Sequence, residues 1–175
     1  LLNLPTTPDA LPHFISEENV ELFAKHHIFT KAELHSRYEI LLENYCKVVH
    51  IEANTMLEMA KQDVLPGAMK YIKFISETIN AFKVAMPNAN RALEEELLTK
   101  MSELSSACYD AVKKLEKDID EIKNKNCPLD RACYLRDIII ADMEELRRLA
   151  DSMEEIMPGE YYPYPNYSDI LFSVI

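Results

Sequence analysis

From Leu34 to Val64 an apolar or aromatic residue returns at every third or fourth position: Leu34, Tyr38, Leu41, Tyr45, Val49, Ala53, Met56, Ala60 and Val64. That period is the signature of one continuous helical face. Leu42, Cys46 and Ile51 widen the stripe, which implies burial against more than one neighbour. A strand-rich alternative fails on composition. Only two glycines, Gly67 and Gly159, occur in 175 residues, and tight β-hairpins depend on glycine.

The rest of the chain follows the same logic. Thr30 and Glu33 form a T-x-x-E capping box that opens the long helix. Pro66 and Gly67 interrupt the pattern, which resumes through Ala68, Ile72, Ile75, Ile79, Phe82 and Met86. Pro66 therefore marks either the first turn of a new helix or a kink in a continuous one. Pro87, Asn88 and Asn90 make a firm break. Leu97, Met101, Leu104, Cys108, Ala111 and Leu115 then repeat at a spacing near 3.5. A second such seam runs through Ala132, Ile139, Met143, Leu146, Ala150, Met153 and Met157, with Arg136 its one polar occupant. Two seams joined by "NKNCPLD" predict an antiparallel, coiled-coil-like hairpin.

The expected fold is thus all-α: an elongated bundle of long antiparallel helices over 31–64, 67–86, 89–125 and 129–157, kinked near Pro66, with a non-helical C-terminal tail. A helix over 89–125 would span about 55 Å. Residues 1–15, with Pro5, Pro8 and Pro12, read as an extended arm. Ser16 opens a short helix with acidic residues in its first turn. Residues 16–157 form the helical bundle, and 158–175 a Pro/Tyr-rich docking tail. Pro158 and Gly159 stop the last helix, and the tail ends in the apolar "ILFSVI". Ile170, Leu171, Phe172, Val174 and Ile175 would form a sticky patch if all were exposed, so the tail is expected to act as an ordered clasp. The chain starts without methionine and is expected to be a piece of a longer one.

The formal charge of −11 argues against nucleic acid and anionic membranes as partners. The cations of "VKKLEKDIDEIKNK" alternate with acids, as on a solvated helix face. No run of eighteen apolar residues occurs, and no signal peptide is visible. Cys46 and Cys108 sit in apolar stripes, and no C-x-x-C pair exists, which fits reduced thiols and a cytoplasmic setting. A bridge between Cys127 and Cys133 is possible but not indicated.

Chemistry-bearing patterns are missing. No E-x-x-H occurs, so a di-iron bundle lacks its ligands. His35 and His50 stand about four turns apart on one helix. His35 and Glu39 are one turn apart, a spacing better suited to a surface pair than to a catalytic dyad. No phosphate loop and no nucleophile elbow is present. The segment "HSRYEILLENYCK" is dense in charge, but Arg37, Glu39, Glu43 and Lys47 fall mostly opposite the buried Tyr38, Leu41, Leu42 and Tyr45. It reads as the outside of a helix. No catalytic, cofactor-binding or metal-binding residue is assigned.

Four stretches, "LLNLPTTPDALP", "FTKAELHSRYEILLENYCK", "IEANTMLEMAKQDVLP" and "YYPYPNYSDILFSV", resemble the C-terminal region of type III glutamine synthetases in order and spacing. The resemblance implies a parent enzyme that joins ammonia to glutamate with ATP and Mg or Mn, as a cytoplasmic homo-oligomer of hexameric rings. It also implies that nucleotide- and metal-binding residues lie upstream, so the expectation is that this region is inactive alone. Its partners would be the upstream catalytic domain and neighbouring subunits. The competing reading is a free-standing helical bundle that binds a partner protein or a small ligand.

Overall fold

A computed structural model describes residues 3–165 and 167–172. The fold is all-α, and no strand occurs among the described residues. The helices are α1 (Thr7–Phe14), α2 (Glu17–Lys25), α3 (Lys31–Met59), α4 (Leu65–Ala85), α5 (Ala92–Glu121), α6 (Pro128–Tyr134), α7 (Ile140–Glu154) and α8 (Tyr167–Phe172). A π-helical turn, Ala60–Val64, joins α3 to α4, and a second, Leu135–Ile139, joins α6 to α7. A 3-10 turn, Ile122–Asn124, extends α5. The chain divides into two compact units: residues 1–54 with 115–142, and residues 55–114 with 143–175.

In the first unit the capping box forms as the sequence predicts. The Thr30 backbone N–H donates to Glu33 Oε2 at 2.7 Å, the Thr30 hydroxyl donates to the same oxygen at 2.9 Å, and the Glu33 N–H donates to Thr30 Oγ1 at 3.3 Å. Ahead of it, Phe14 packs edge-on against Phe23 and Phe23 packs tilted against Phe29, with centroids 6.0 and 5.6 Å apart, and the Arg37 guanidinium lies 4.4 Å over Phe29. Ser16 sits at the N-cap of α2, but its side chain makes no cap bond. The expected extended arm is corrected: residues 7–14 are helical. Pro8 occupies the first turn, where its missing N–H costs nothing, and Pro12 gives up only one bond in a two-turn helix.

The stripe on α3 is narrower than its sequence suggests. Leu34, Leu42, Cys46, Val49 and Ala53 are buried, whereas Leu41 and Ile51 face solvent at 45% and 63% exposure. Ile40 and Val48 are exposed beside them. The seam after the hairpin turn also shifts. Ala132, Leu135, Ile139, Asp142, Leu146, Leu149 and Met153 are buried, at alternating steps of three and four. Leu135 replaces Arg136, Asp142 replaces Met143 and Leu149 replaces Ala150. Both registers carry one polar residue, but beside it the observed one buries two leucines where the other would bury a methionine and an alanine. That difference in apolar burial favours it. On α5, Val112 replaces Ala111 for the same reason.

The second unit answers the question posed by Pro66. The chain stays helical, without a loop. The Leu65 N–H reaches back five residues to the Ala60 carbonyl, so the ladder is already widened where the proline ring enters. The Ser105 hydroxyl approaches Met153 Sδ at 3.9 Å, 48 positions away, as an antiparallel hairpin closed near Lys125–Cys127 requires.

The tail docks on α4. The Tyr161 ring packs on Tyr71 and Phe74 at 5.3 and 5.6 Å, and the Tyr164 hydroxyl donates to Asp63 Oδ2 at 2.8 Å. Gly67 makes this approach possible. A Cβ there would stand 2.6 Å from the Tyr161 carbonyl oxygen, inside any van der Waals limit, and 3.5 Å from Pro163 Cδ. The expectation of a wholly non-helical tail is corrected by α8. Past Pro165 nothing blocks a helical turn, and Asp169 suits the first turn of a helix. Ile170, Leu171 and Phe172 are 61%, 68% and 78% exposed, so the clasp holds through its tyrosines while these apolar side chains stay open to solvent. Val174 and Ile175 lie outside the described residues.

Gly67→Ala should lower the melting temperature of the full chain, because its Cβ displaces the tail backbone. In a chain ending at residue 159 the same substitution should stabilise by about 1 kcal/mol, the helix-propensity gain of alanine over glycine. Calorimetric melts of the four proteins read both signs. Separately, the Thr30 bonds hold the Glu33 carboxyl below the usual glutamate range, the backbone N–H contributing most. Because the folded value is depressed, this cap is intact at neutral pH and is lost as pH falls through that value. The Thr30 amide resonance should titrate with a midpoint below that of an ordinary glutamate, and Thr30→Val should raise it.

Candidate functional site

An open cleft of about 620 Å³ lies within the first unit. One wall is α3, whose Glu39, Glu43, Lys47 and His50 form the rim above Cys46. The other wall comes from the hairpin turn: Ile122 from the 3-10 turn, Pro128 and Arg131 from α6, and Leu135 from the second π turn. The period of α3 explains its contribution. Leu42, Cys46 and Val49 are buried, which leaves Glu39, Glu43 and Lys47 at the edge of the same helix. The cleft thus has an apolar floor and a charged rim.

The charges of the rim are unequally matched. Lys47 Nζ lies 2.9 Å from Glu43 Oε1, and this exposed pair holds the Glu43 carboxyl below its usual range. Arg131 donates through Nη2 to the Lys125 carbonyl at 3.0 Å. Its Nε is sealed from water without an acceptor, and it makes no ion pair among the described residues. Burial pushes the Cys46 thiol up, and that of Cys108 to about 11, so both are poor nucleophiles at neutral pH. All four cysteines are free thiols, with Cys127 exposed and Cys133 half-buried.

The charge-dense helix segment therefore lines a cleft, which its helical surface pattern alone did not reveal. Its far wall comes from residues some eighty positions away. Arg131, in the turn after "NKNCPLD", carried no signal in the sequence beyond being a cation near a helix start. His35 does not line the cleft, and the structure gives it no hydrogen bond to Glu39, so their spacing makes no dyad. Among the described residues no three of His, Cys, Asp and Glu gather in a way that would hold a metal ion. No helix of the described residues is long and apolar enough to cross a membrane. Elsewhere in this unit Arg136 bonds Asp9 and Asp137 and ties α1 to the second π turn.

Leu135→Gln should test the floor. It places an amide at a fully buried position and should destabilise by about 2–5 kcal/mol in a denaturant melt. Glu39→Gln, on the exposed rim, should change stability by no more than about 0.5 kcal/mol.

Residues 1–83 match the family model described as the glutamine synthetase C-terminal domain. The chain is 41% identical over 174 residues to a glutamine synthetase of Butyrivibrio fibrisolvens, covering 99% of this chain and 25% of that protein. It is 34% identical over 180 residues to the type-3 glutamine synthetase of Dictyostelium discoideum, covering 98% and 24%. It is 25% identical over 181 residues to a glutamine synthetase of Bacteroides fragilis, covering 99% and 24%. The chain thus spans about a quarter of the length of these curated relatives. Residues 1–83 thus belong to the glutamine synthetase C-terminal domain family, and the all-α chain as a whole aligns with glutamine synthetases along nearly its full length.

Proposed function

We propose that this region is the C-terminal helical part of a type III glutamine synthetase and that it is a structural, non-catalytic element there. The observation that carries the reading is the alignment of nearly the whole chain to one quarter of a synthetase. The type is supported by the relative that bears that name. In the parent, ATP, the divalent cation, glutamate and ammonia would be handled by the upstream catalytic domain, in a cytoplasmic homo-oligomer. Among the described residues no three metal-ligating side chains gather, which supports placing no step of the ligase reaction on this region.

The structural role rests on apolar surface that the chain leaves open. Leu171 and Phe172 on α8, and Ile40, Leu41 and Val48 on α3, are all exposed. Burying a side chain of this size is worth about 1.5–3 kcal/mol, so such surfaces favour coverage by another domain or subunit.

Calorimetric titration of the chain with ATP and Mg²⁺ is expected to show no binding tighter than roughly micromolar, and the chain should form no glutamine. Micromolar binding would reveal a nucleotide site in this region and remove the non-catalytic reading. Deleting residues 160–175 is expected to lower the melting temperature or change the oligomeric state on gel filtration. An unchanged melt and an unchanged size would make the tail a passive end.

A further inference from the structure

We infer that the cleft of the first unit binds a small monocarboxylate with an apolar body, seated with its charge against Arg131. The inference goes beyond the structural role and does not depend on it. A volume near 620 Å³ falls in the range of small-molecule sites, and such sites pair an apolar lining with a few placed polar groups. Here Cys46, Ile122, Pro128 and Leu135 supply the apolar lining. Arg131 supplies the cation.

The state of that arginine is what points to an anion. A half-buried guanidinium is ordinarily neutralised by a carboxylate, because an unpaired charge held away from water is costly. Arg131 has one carbonyl partner, on Nη2, and no carboxylate. Nε is closed off from solvent without an acceptor, so a ligand in the cleft would meet the guanidinium at its Nη1 end, away from the bond to Lys125. The contrast is Arg91, whose Nε also lacks a hydrogen bond but has Glu95 at 3.8 Å. Lys47, the other cation of the cleft, is already paired with Glu43. One cation therefore remains to be matched, and a planar carboxylate is the group whose geometry fits a guanidinium edge.

The rim decides between anions. Glu39 and Glu43 both stand over the cleft, in a chain of net charge −11. Multiply charged groups such as phosphates would be repelled there about twice as strongly as a single carboxylate, whose repulsion is offset when it sits low against Arg131. The apolar lining then calls for a hydrocarbon body behind the charged head.

Hexanoate is a suitable probe for the full 175-residue chain, read by the methyl resonances of isotope-labelled isoleucine and leucine. Saturable shifts at Ile122 and Leu135 are expected, with a Kd of about 1–10 mM, the scale for an eight-atom ligand. Hexanamide, with the same body and no charge, should bind about tenfold more weakly or worse, and hexyl phosphate should bind more weakly than hexanoate. Arg131→Gln should weaken hexanoate by at least about tenfold, while Arg91→Gln, in the second unit, should leave it unchanged. Because Arg131→Gln also loses the bond to Lys125, the hexanamide comparison carries the test without a variant. Equal binding of hexanoate and hexanamide would reduce the cleft to an apolar groove and overturn the proposal. So would tighter binding of hexyl phosphate. No saturable shift up to about 20 mM hexanoate would mark the cleft as a surface for another polypeptide, and that too would overturn it.

Discussion

Burial of Leu135 governs the first unit. With Leu135 in the core, Arg136 is turned out of it, and the guanidinium is free to bond Asp9 and Asp137. That contact holds α1 against the second π turn. The same register places Arg131, one turn earlier, on the wall of the cleft and makes Leu135 part of its floor. A slip of one position would bury Arg136, Met143 and Ala150 and expose Leu135, Asp142 and Leu149. The polar residue buried in exchange is Asp142, at 4% exposure. Each register buries one polar residue, Asp142 here and Arg136 in the other, so the apolar pairs decide: Leu135 and Leu149 bury more than Met143 and Ala150 would.

In the second unit the corresponding constraint is the missing Cβ of Gly67. Its backbone is ordinary helix, so the residue is not there for a turn. It is there because the tail carbonyl of Tyr161 occupies the place of a side chain. The π turn before Pro66 and the absent side chain after it let α3 pass into α4 without a loop while presenting a flat strip to the tail. Tyr161 and Tyr164 fill that strip, and α8 follows beyond them.

Long helices were legible in the sequence because their apolar periods run for tens of residues and their breaks are marked by Pro87, Cys127–Pro128 and Pro158. The capping box at Thr30 was legible because it is purely local. Register was not. Leu135 beside Arg136, and Ala111 beside Val112, fit a 3.5-residue repeat equally well, and packing alone separates them. Ile51 looked like core because its neighbours are core, yet it lies on the outer face of α3. The prolines of the first fifteen residues suggested an extended arm, although two of them sit where a short helix tolerates them. The cleft was invisible for a different reason. Its walls come from residues 39–50 and 122–135, and no local pattern links Glu43 to Arg131.

What joins the fold to the proposed structural role is apolar surface that the described residues make but do not cover. The side chains of Leu171 and Phe172 stand open on α8, immediately after a tail that is itself firmly placed by Tyr161 and Tyr164. Hydroxyl-radical footprinting compares that surface in the isolated chain and in a full-length synthetase that carries this region. Leu171 and Phe172 are expected to be labelled readily in the isolated chain and protected several-fold in the full-length enzyme. Equal labelling in the two would show that nothing covers α8 there, and would contradict a structural role for this surface.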